Sequence, residues 1–173
     1  MHVHTRVFCP CVGADSGGAG AQGLFVNVNE YLPLIKDRLI DFVRVHMSDI
    51  GGLTPMRKLA ALCEYFGVRI ALHGPGDCSP VGMMANLAID LSISNLGIQE
   101  LDYVSFREKT GANEVFPGFE LIGPRDGMLW PNNLPGLGID IDEAAAARYP
   151  WPAGFQGVGG RMLRRRDGSI VPP

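Results

Sequence analysis

Short apolar runs alternate with segments of helical periodicity from about residue 23 to residue 104. The apolar runs predict strands, and the segments between them repeat apolar residues at spacings of three and four, which favours helices with one buried face. The predicted strands cover residues 23–28, 40–47, 68–74 and 97–104, and the predicted helices cover residues 30–39, 54–66 and 79–91. This order is typical of a sheet with helical crossovers.

Residues that favour helix ends frame these helices. Asn29, Thr54 and Ser79 stand where an N-cap side chain would accept a hydrogen bond from the first turn. Gly67 follows the second helix, where glycine favours a left-handed C-terminal cap. Further along, Asp142 precedes the alanine-rich EAAAARY and predicts one more short helix.

Alternation of strand and helix predicts an α/β fold with a parallel sheet and right-handed crossovers. We count three to four βα units. The chain has 173 residues, whereas a complete eight-stranded α/β barrel typically needs roughly 250. The sequence therefore predicts one domain that contains part of such a barrel.

Residues 1–22 differ from the rest, since they are rich in glycine and alanine and lack periodicity. We predict an unstructured leader. Residues 18–23 match the glycine spacing of a dinucleotide fingerprint, but they follow no predicted strand and open no helix, which disfavours a nucleotide-binding module. A metal site in the leader is equally disfavoured, because the spacing of its candidate ligands matches no zinc pattern: His2, His4, Cys9 and Cys11.

Composition narrows the classes of protein further. Apolar residues make up 46% and charged residues 19% of the chain, which excludes wholesale disorder, and a net charge of −3 gives no sign of binding to nucleic acid or anionic membranes. Without an apolar run near 20 residues or a visible signal peptide, we expect a cytoplasmic protein. The four cysteines form no disulfide framework, and we expect reduced thiols.

His73 and Glu100 stand at the ends of two consecutive predicted strands. Strand ends of a parallel barrel open onto one face, and that face carries the active site. A histidine there can donate or accept a proton near neutral pH. An inward carboxylate is costly unless it is paired, so Glu100 would bind substrate hydroxyls or pair with a cation. The alternatives are a structural histidine and an exposed glutamate at the sheet edge.

Arg44 and His46 share one face of the strand predicted at 40–47, because side chains alternate along a strand. If the intervening residues pack on the helices, both side chains point into the mouth of the barrel. An arginine there suits a substrate that bears a carboxylate. A buried structural pair remains an equally good interpretation.

Residues from about 23 to 172 resemble the C-terminal part of enolase-superfamily sugar-acid dehydratases, in particular the mannonate dehydratase and starvation-sensing protein family. Several motifs carry this resemblance in the same order and cover most of the last 150 residues. They are LIDFVRVHMSDIGGLTPMRKLAALCEYFGVR, HGPGDCSPVG, NLGIQE, EVFP, DGMLWPN, PGLGIDIDE and RRRDGS.

The resemblance implies that the fold is the last three to four βα units of an enolase-type barrel. It implies a magnesium-assisted dehydration of a mannonate or gluconate type of acid to a 2-keto-3-deoxy acid. His73 would be catalytic and Glu100 would bind substrate, together with Arg44 and His46. Trp130 would join them from the C-terminal loop region.

The sequence departs from the family at the metal site. The family holds its metal with three carboxylates, two of which would lie N-terminal to this chain, and Gly23 occupies the position of the third. The family's small capping domain is also missing. His46 stands where the galactonate-type subgroup has an aspartate, which disfavours that subgroup.

We therefore expect a leader at 1–22, an enolase-like region at 23–173, and no activity of the chain by itself. The alternative is a non-catalytic remnant or subunit fragment that binds a sugar acid or associates with another chain. If it folds, we expect a homo-oligomer or a complex with a partner chain.

Overall fold

The computed structural model describes residues 5–8, 20–22, 27–75, 78–101 and 111–150. The chain divides into two compact units, residues 1–142 and 143–173. The first unit contains the sheet, and the described part of the second contains one short helix. No described helix is long and apolar enough to cross a membrane.

The described strands of the first unit form one seven-stranded sheet with the order β2-β3-β4-β5-β1-β7-β6. The strands are β1 (Thr5–Phe8), β2 (Gly20–Gln22), β3 (Phe42–Val45), β4 (Arg69–Leu72), β5 (Leu96–Glu100), β6 (Pro124–Arg125) and β7 (Met128–Leu129). Neighbours from β2 to β5, and β5 with β1, pair in parallel, whereas β1–β7 and β7–β6 are antiparallel.

Three long helices connect the parallel strands, which confirms the predicted alternation of strand and helix. The helices are α1 (Val28–Lys36), α2 (Leu53–Tyr65), α3 (Pro80–Ser92), α4 (Ala112–Val115) and α5 (Glu143–Ala146), with a 3-10 turn at Phe119–Leu121. Parallel strands need such crossovers, and the helices cover the sheet. The α/β class is therefore correct.

Two of the predicted helix caps are wrong. Asn27, not Asn29, caps α1: its side chain accepts from the amide of Asn29 at 2.9 Å, and Glu30 accepts from the amide of Asn27 at 3.0 Å. This reciprocal pair starts the helix at Val28 and ends any strand before it. At α2 the N-cap is Gly52 rather than Thr54.

The other helix ends follow the sequence prediction. The hydroxyl of Ser79 accepts from the amide of Gly82 at 3.2 Å and caps α3. Gly67 has φ +66° directly after the α2 C-cap, a left-handed conformation that glycine adopts without a steric penalty.

The prediction of an unstructured leader is wrong at residues 5–8 and 20–22, which form β1 and β2. β2 pairs with β3 and β1 pairs with β5. Both partners are distant in sequence, so local periodicity contains no signal for either pairing. The rest of the leader and residues 23–26 of the first predicted strand lie outside the described residues.

A tight hairpin that the sequence analysis missed joins β6 to β7. Its turn residues, Asp126 and Gly127, have φ +53° and +72°. Positive φ at both positions is what a two-residue hairpin turn requires, and Asp-Gly is a strong signal for it. The dipeptide was therefore informative in the sequence.

Two apolar clusters hold the first unit together. The larger one packs α1 and α2 against β3 and β4, and includes Tyr31, Ile35, Val43, Val45, Met56, Leu59, Ile70 and Leu72, all of them at most 1% exposed. The smaller one packs α3 against the segment after residue 111, and includes Met83, Met84, Leu87, Phe119, Ile122 and Leu129. Cys63 and Cys78 are buried, whereas Cys9 and Cys11 lie outside the described residues.

We expect Leu59→Ala to lower the free energy of unfolding by about 2–5 kcal/mol, because it removes a fully buried side chain and leaves a cavity in the larger cluster. Urea denaturation measures the loss. The exposed neighbour variant Lys58→Ala is the control and should change stability by less than about 0.5 kcal/mol. Equal losses in both variants would contradict this account of the core.

Asp90 is a buried carboxyl group on α3. It is 3% exposed, and neither carboxylate oxygen has a hydrogen-bond partner. Burial raises the pKa of Asp90 well above its ordinary value, because the charged form loses its hydration. The neutral acid is therefore the form that folding favours.

The free energy of unfolding should fall as pH rises above about 4, because the unfolded chain then loses the Asp90 proton more readily than the folded chain. The slope is at most about 1.4 kcal/mol per pH unit for one proton. Asp90→Asn should flatten this slope, and Asp126→Asn in the exposed β6–β7 turn should leave it unchanged. Urea denaturation between pH 4 and 8 checks this, and parallel slopes in all three proteins would contradict it.

Candidate functional site

Three strand ends bring Arg44, His73 and Glu100 into contact. Arg44 comes from β3, His73 directly follows β4, and Glu100 ends β5. Arg44 donates to Oε2 of Glu100 from Nε at 3.1 Å and from Nη2 at 2.5 Å. Nδ1 of His73 lies 2.5 Å from the same Nη2 and in hydrogen-bonding contact with Oε2 of Glu100. One carboxylate oxygen is thus the centre of the cluster.

The contacts of His73 restrict where its proton can lie. If Nδ1 carries a proton, it donates to Glu100; if Nδ1 is bare, it accepts from Arg44. The first arrangement leaves Nε2 as an acceptor without a hydrogen bond among the described residues, which is the form that can take up a proton. The cluster can therefore support proton transfer at Nε2.

Glu100 stays ionised despite its partial burial. Burial by itself would raise its pKa, but the hydrogen bonds and charges of His73 and Arg44 outweigh that effect, so the pKa lies below the ordinary value. The amide of Gly74 adds a longer hydrogen bond to Oε2 at 3.3 Å. At neutral pH the site therefore contains a carboxylate beside a guanidinium.

His46 lies beside this cluster but makes no hydrogen bond to it. Its ring meets the ring of His73 edge to face, with 5.7 Å between centroids. Nδ1 of His46 lies 2.5 Å from the hydroxyl of Ser48 and accepts from the amide of Ser48 at 3.3 Å. Because the backbone amide can only donate, this contact places the proton of a neutral His46 on Nε2.

Two buried amide side chains, which the sequence analysis missed, hold the backbone beneath the cluster. Gln99 donates from Nε2 to the carbonyls of Leu72 at 3.2 Å and of Glu100 at 2.5 Å. Asn86 on α3 donates to the carbonyl of His73 at 3.1 Å. Both are fully buried, so their hydrogen bonds fix the ends of β4 and β5. The sequence did contain a signal for both: Gln99 is a polar residue inside a predicted strand, and Asn86 is a polar residue on the apolar face of a predicted helix.

Gly74 allows the two strand ends to approach closely. A Cβ atom at this position would lie 2.0 Å from the carbonyl oxygen of Glu100, which no side chain tolerates.

Trp130 directly follows β7 and is half-buried. Its role in substrate binding stays a prediction. The loop at 131–138 instead lines a cavity of about 70 Å³ against Met84, Leu87 and Leu91 of α3. Gly23 lies outside the described residues.

The described residues do not fit a magnesium ion. Among them, no group of three or more histidine, cysteine or acidic side chains could hold a metal. Glu100 is the carboxylate of the cluster, and one of its oxygens is already shared by Arg44 and His73. Magnesium usually takes carboxylate oxygens and water.

What the cluster leaves open is a set of polar atoms suited to an organic acid. Among the described residues, Nη1 of Arg44, Nε2 of His73 and Oε1 of Glu100 make no hydrogen bond. The three side chains remain 17–29% exposed. A free guanidinium edge can bind a carboxylate, and a free carboxylate oxygen can accept from a hydroxyl.

Comparison with known proteins agrees with this architecture. Residues 24–145 match the model of the family described as enolase C-terminal domain-like. The chain is 52% identical over 150 residues to a D-galactonate dehydratase family member of Salmonella enteritidis PT4, covering 87% of this chain and 34% of the relative. A member from Streptomyces sp. SPB78 is 49% identical, with coverage of 87% and 33%.

Solved structures give the same result. An enolase from Pantoea ananatis with bound D-gluconate and magnesium superposes with a TM-score of 0.72 and 45% identity, over 89% of this chain and 35% of that one. An L-alanine-DL-glutamate epimerase-like protein from Burkholderia xenovorans superposes with a TM-score of 0.67 over 78% of this chain and 32% of that one. At 21% identity, it supports the fold alone.

The fold and the matches define an α/β chain of the TIM-barrel type, within the enolase superfamily. The chain belongs to the enolase C-terminal domain-like family. It spans about a third of the length of the curated relatives that it matches. The shared name of those relatives refers to D-galactonate dehydratase, so the comparisons support neither the narrower mannonate assignment nor the exclusion of the galactonate-type subgroup.

We expect Gly74→Ala to lower the free energy of unfolding by about 1–3 kcal/mol and to separate His73 from Glu100, because the added methyl group must push the ends of β4 and β5 apart. The ring signals of His73 in a histidine NMR spectrum report the second effect. Gly127→Ala in the β6–β7 turn is the matched control, since it strains a turn far from β4 without moving those signals. Unchanged His73 signals in Gly74→Ala would contradict the close packing.

Proposed function

We propose that this chain carries the substrate-binding side of a sugar-acid dehydratase. The observation that supports this most strongly is the cluster of Arg44, His73 and Glu100, which offers an open donor edge, an open ring nitrogen and an open carboxylate oxygen at three adjacent strand ends. A sugar acid has the complementary groups, a carboxylate beside a row of hydroxyls. The gluconate bound in the Pantoea ananatis neighbour is of this class.

In this proposal the chain corresponds to the last three to four βα units of the barrel. Arg44 binds the substrate carboxylate, and Glu100 accepts from a hydroxyl. His46 would donate to the substrate from Nε2, and Trp130 would close the pocket from the C-terminal loop region. Residues 23–173 form the enolase-like region.

The reaction is loss of water from a mannonate or gluconate type of acid. The C2–H bond breaks first, the C3 hydroxyl then leaves as water, and the resulting enol becomes the 2-keto-3-deoxy acid. His73 is the proton-transfer residue at Nε2, with its Nδ1 held by Glu100. In this superfamily a magnesium ion would supply the charge stabilisation that proton removal beside a carboxylate needs. The described residues do not provide its ligands.

Because of that mismatch, we propose that the chain binds a sugar acid but does not turn it over by itself. The second candidate function is that of a non-catalytic binding chain, which the lack of a ligand set among the described residues favours. In both cases the cluster is the binding site. The two candidate functions differ in whether a metal ion and further residues complete the binding site.

Thermal unfolding of the full chain with gluconate, mannonate and galactonate tests the proposal. At least one acid should raise the melting temperature without magnesium. Arg44→Met should abolish the shift, because it removes the donor edge while it keeps an unbranched stem. Arg57→Met on the exposed side of α2 is the matched control and should retain the shift.

The outcomes separate the candidates. If none of the acids stabilises the chain, the binding site is refuted. A shift without formation of 2-keto-3-deoxy acid, with or without magnesium, supports a binding chain that is incomplete as a dehydratase. Turnover that requires magnesium would mean that residues outside the described ones hold the metal, and would refute the proposal that the chain is inactive by itself.

A further inference from the structure

β1 occupies a slot between two strands that are far from it in sequence. It runs parallel to β5, with Val7 opposite Gln99 and Phe8 opposite Glu100. On its other side it runs antiparallel to β7, with Thr5 opposite Leu129 and Arg6 opposite Met128. The β6–β7 hairpin is therefore joined to the parallel strands through β1 alone in the described sheet.

β1 lies outside the stretch that the family shares with this chain. The matched region begins at residue 24 and contains β3, β4 and β5 but not β1. In a closed barrel every strand has a neighbour on both sides. Without β1, the outer edge of β5 would expose unpaired amides and carbonyls directly beside the candidate site, and such an edge binds other strands.

We propose that β5 and β7 form a strand-binding slot and that the N-terminal segment of this chain fills it. β1 thereby gives β5 a neighbour on its outer edge, a form of β-strand addition within one chain. Because the slot accepts one strand at a time, a strand from any other chain must displace β1 first. Backbone pairing alone forms this slot, so the slot does not depend on which ligand the site binds.

The slot also connects the N-terminal segment with the candidate site. Phe8 pairs with Glu100, which is the centre of the cluster with Arg44 and His73. The end of β1 therefore lies at the same edge of the sheet as the three site residues. Release of β1 would leave the C-terminal end of β5 unpaired on that side. Glu100 would then be held less firmly in position.

A disulfide across the β1–β7 register tests the slot in the full chain. Paired Cα atoms of antiparallel strands lie about 4.5–5.5 Å apart, within the range that a disulfide spans. The double variant Arg6→Cys and Met128→Cys should oxidise to a crosslink within one chain, located by peptide mapping. Arg6→Cys with Asp126→Cys, two residues out of register, is the control and should crosslink much less. Both variants carry Cys9→Ser and Cys11→Ser.

Each result has a definite meaning. A register-specific crosslink within one chain supports the proposal. Equal crosslinking in both variants, or none in either, means that β1 is not held in the slot and overturns it. A crosslink between two chains would assign the slot to a second copy and overturns filling by the chain's own segment.

Hydrogen exchange of the full chain gives an independent readout. Val7→Pro removes a backbone donor from β1, so the amides of β5 and β7 should exchange at least about tenfold faster, while β3 and β4 keep their protection. Ser16→Pro, between β1 and β2, is the matched control and should leave β5 and β7 unchanged. Unaltered exchange of β5 and β7 in Val7→Pro overturns the proposal. If Val7→Pro loses protection in every strand, the crosslinking result decides whether β1 fills the slot.

Discussion

The parallel register of β3, β4 and β5 is the constraint on which the candidate site depends. Arg44 lies opposite Ala71, and Leu72 lies opposite Gln99, so the ends of three consecutive strands meet at one edge. The side chains of Arg44, His73 and Glu100 at these strand ends therefore lie close together. Their contact is a consequence of backbone pairing, stabilised in turn by the fully buried residues that pack α1 and α2 on the sheet.

The charged side chains at this edge of the sheet offset one another within the cluster. A half-buried carboxylate beside a guanidinium and an imidazole keeps its charge, because its partners offset the hydration that it loses. One oxygen of Glu100 takes part in this balance and the other stays open. The same pairing therefore gives the cluster a fixed geometry and leaves it able to bind a polar ligand. Asp90 shows the contrast, since burial without a partner favours its neutral form.

Membership of the enolase C-terminal domain-like family indicates which chemistry the cluster could serve. The chain matches only 34% of the length of the relative from Salmonella enteritidis, so that indication does not extend to the whole reaction. The described residues supply donors and acceptors for an acid but no ligand set for a metal. Within the described sheet, β1 pairs with the outer edge of β5.

By itself, the sequence determined the β/α alternation, the Ser79 and Gly67 helix ends, and the candidates His73, Glu100, Arg44 and His46, since periodicity and capping are local properties of the chain. It did not determine the cap of α1, where the Asn27–Glu30 pair prevailed, or the strands at residues 5–8 and 20–22. Only the tertiary structure decided that Arg44 and His73 share one oxygen of Glu100, that Gln99 and Asn86 hold the strand ends, and that β1 pairs with β5. Those contacts join residues far apart in the chain, and their energy comes from pairing and burial that no short stretch of sequence contains.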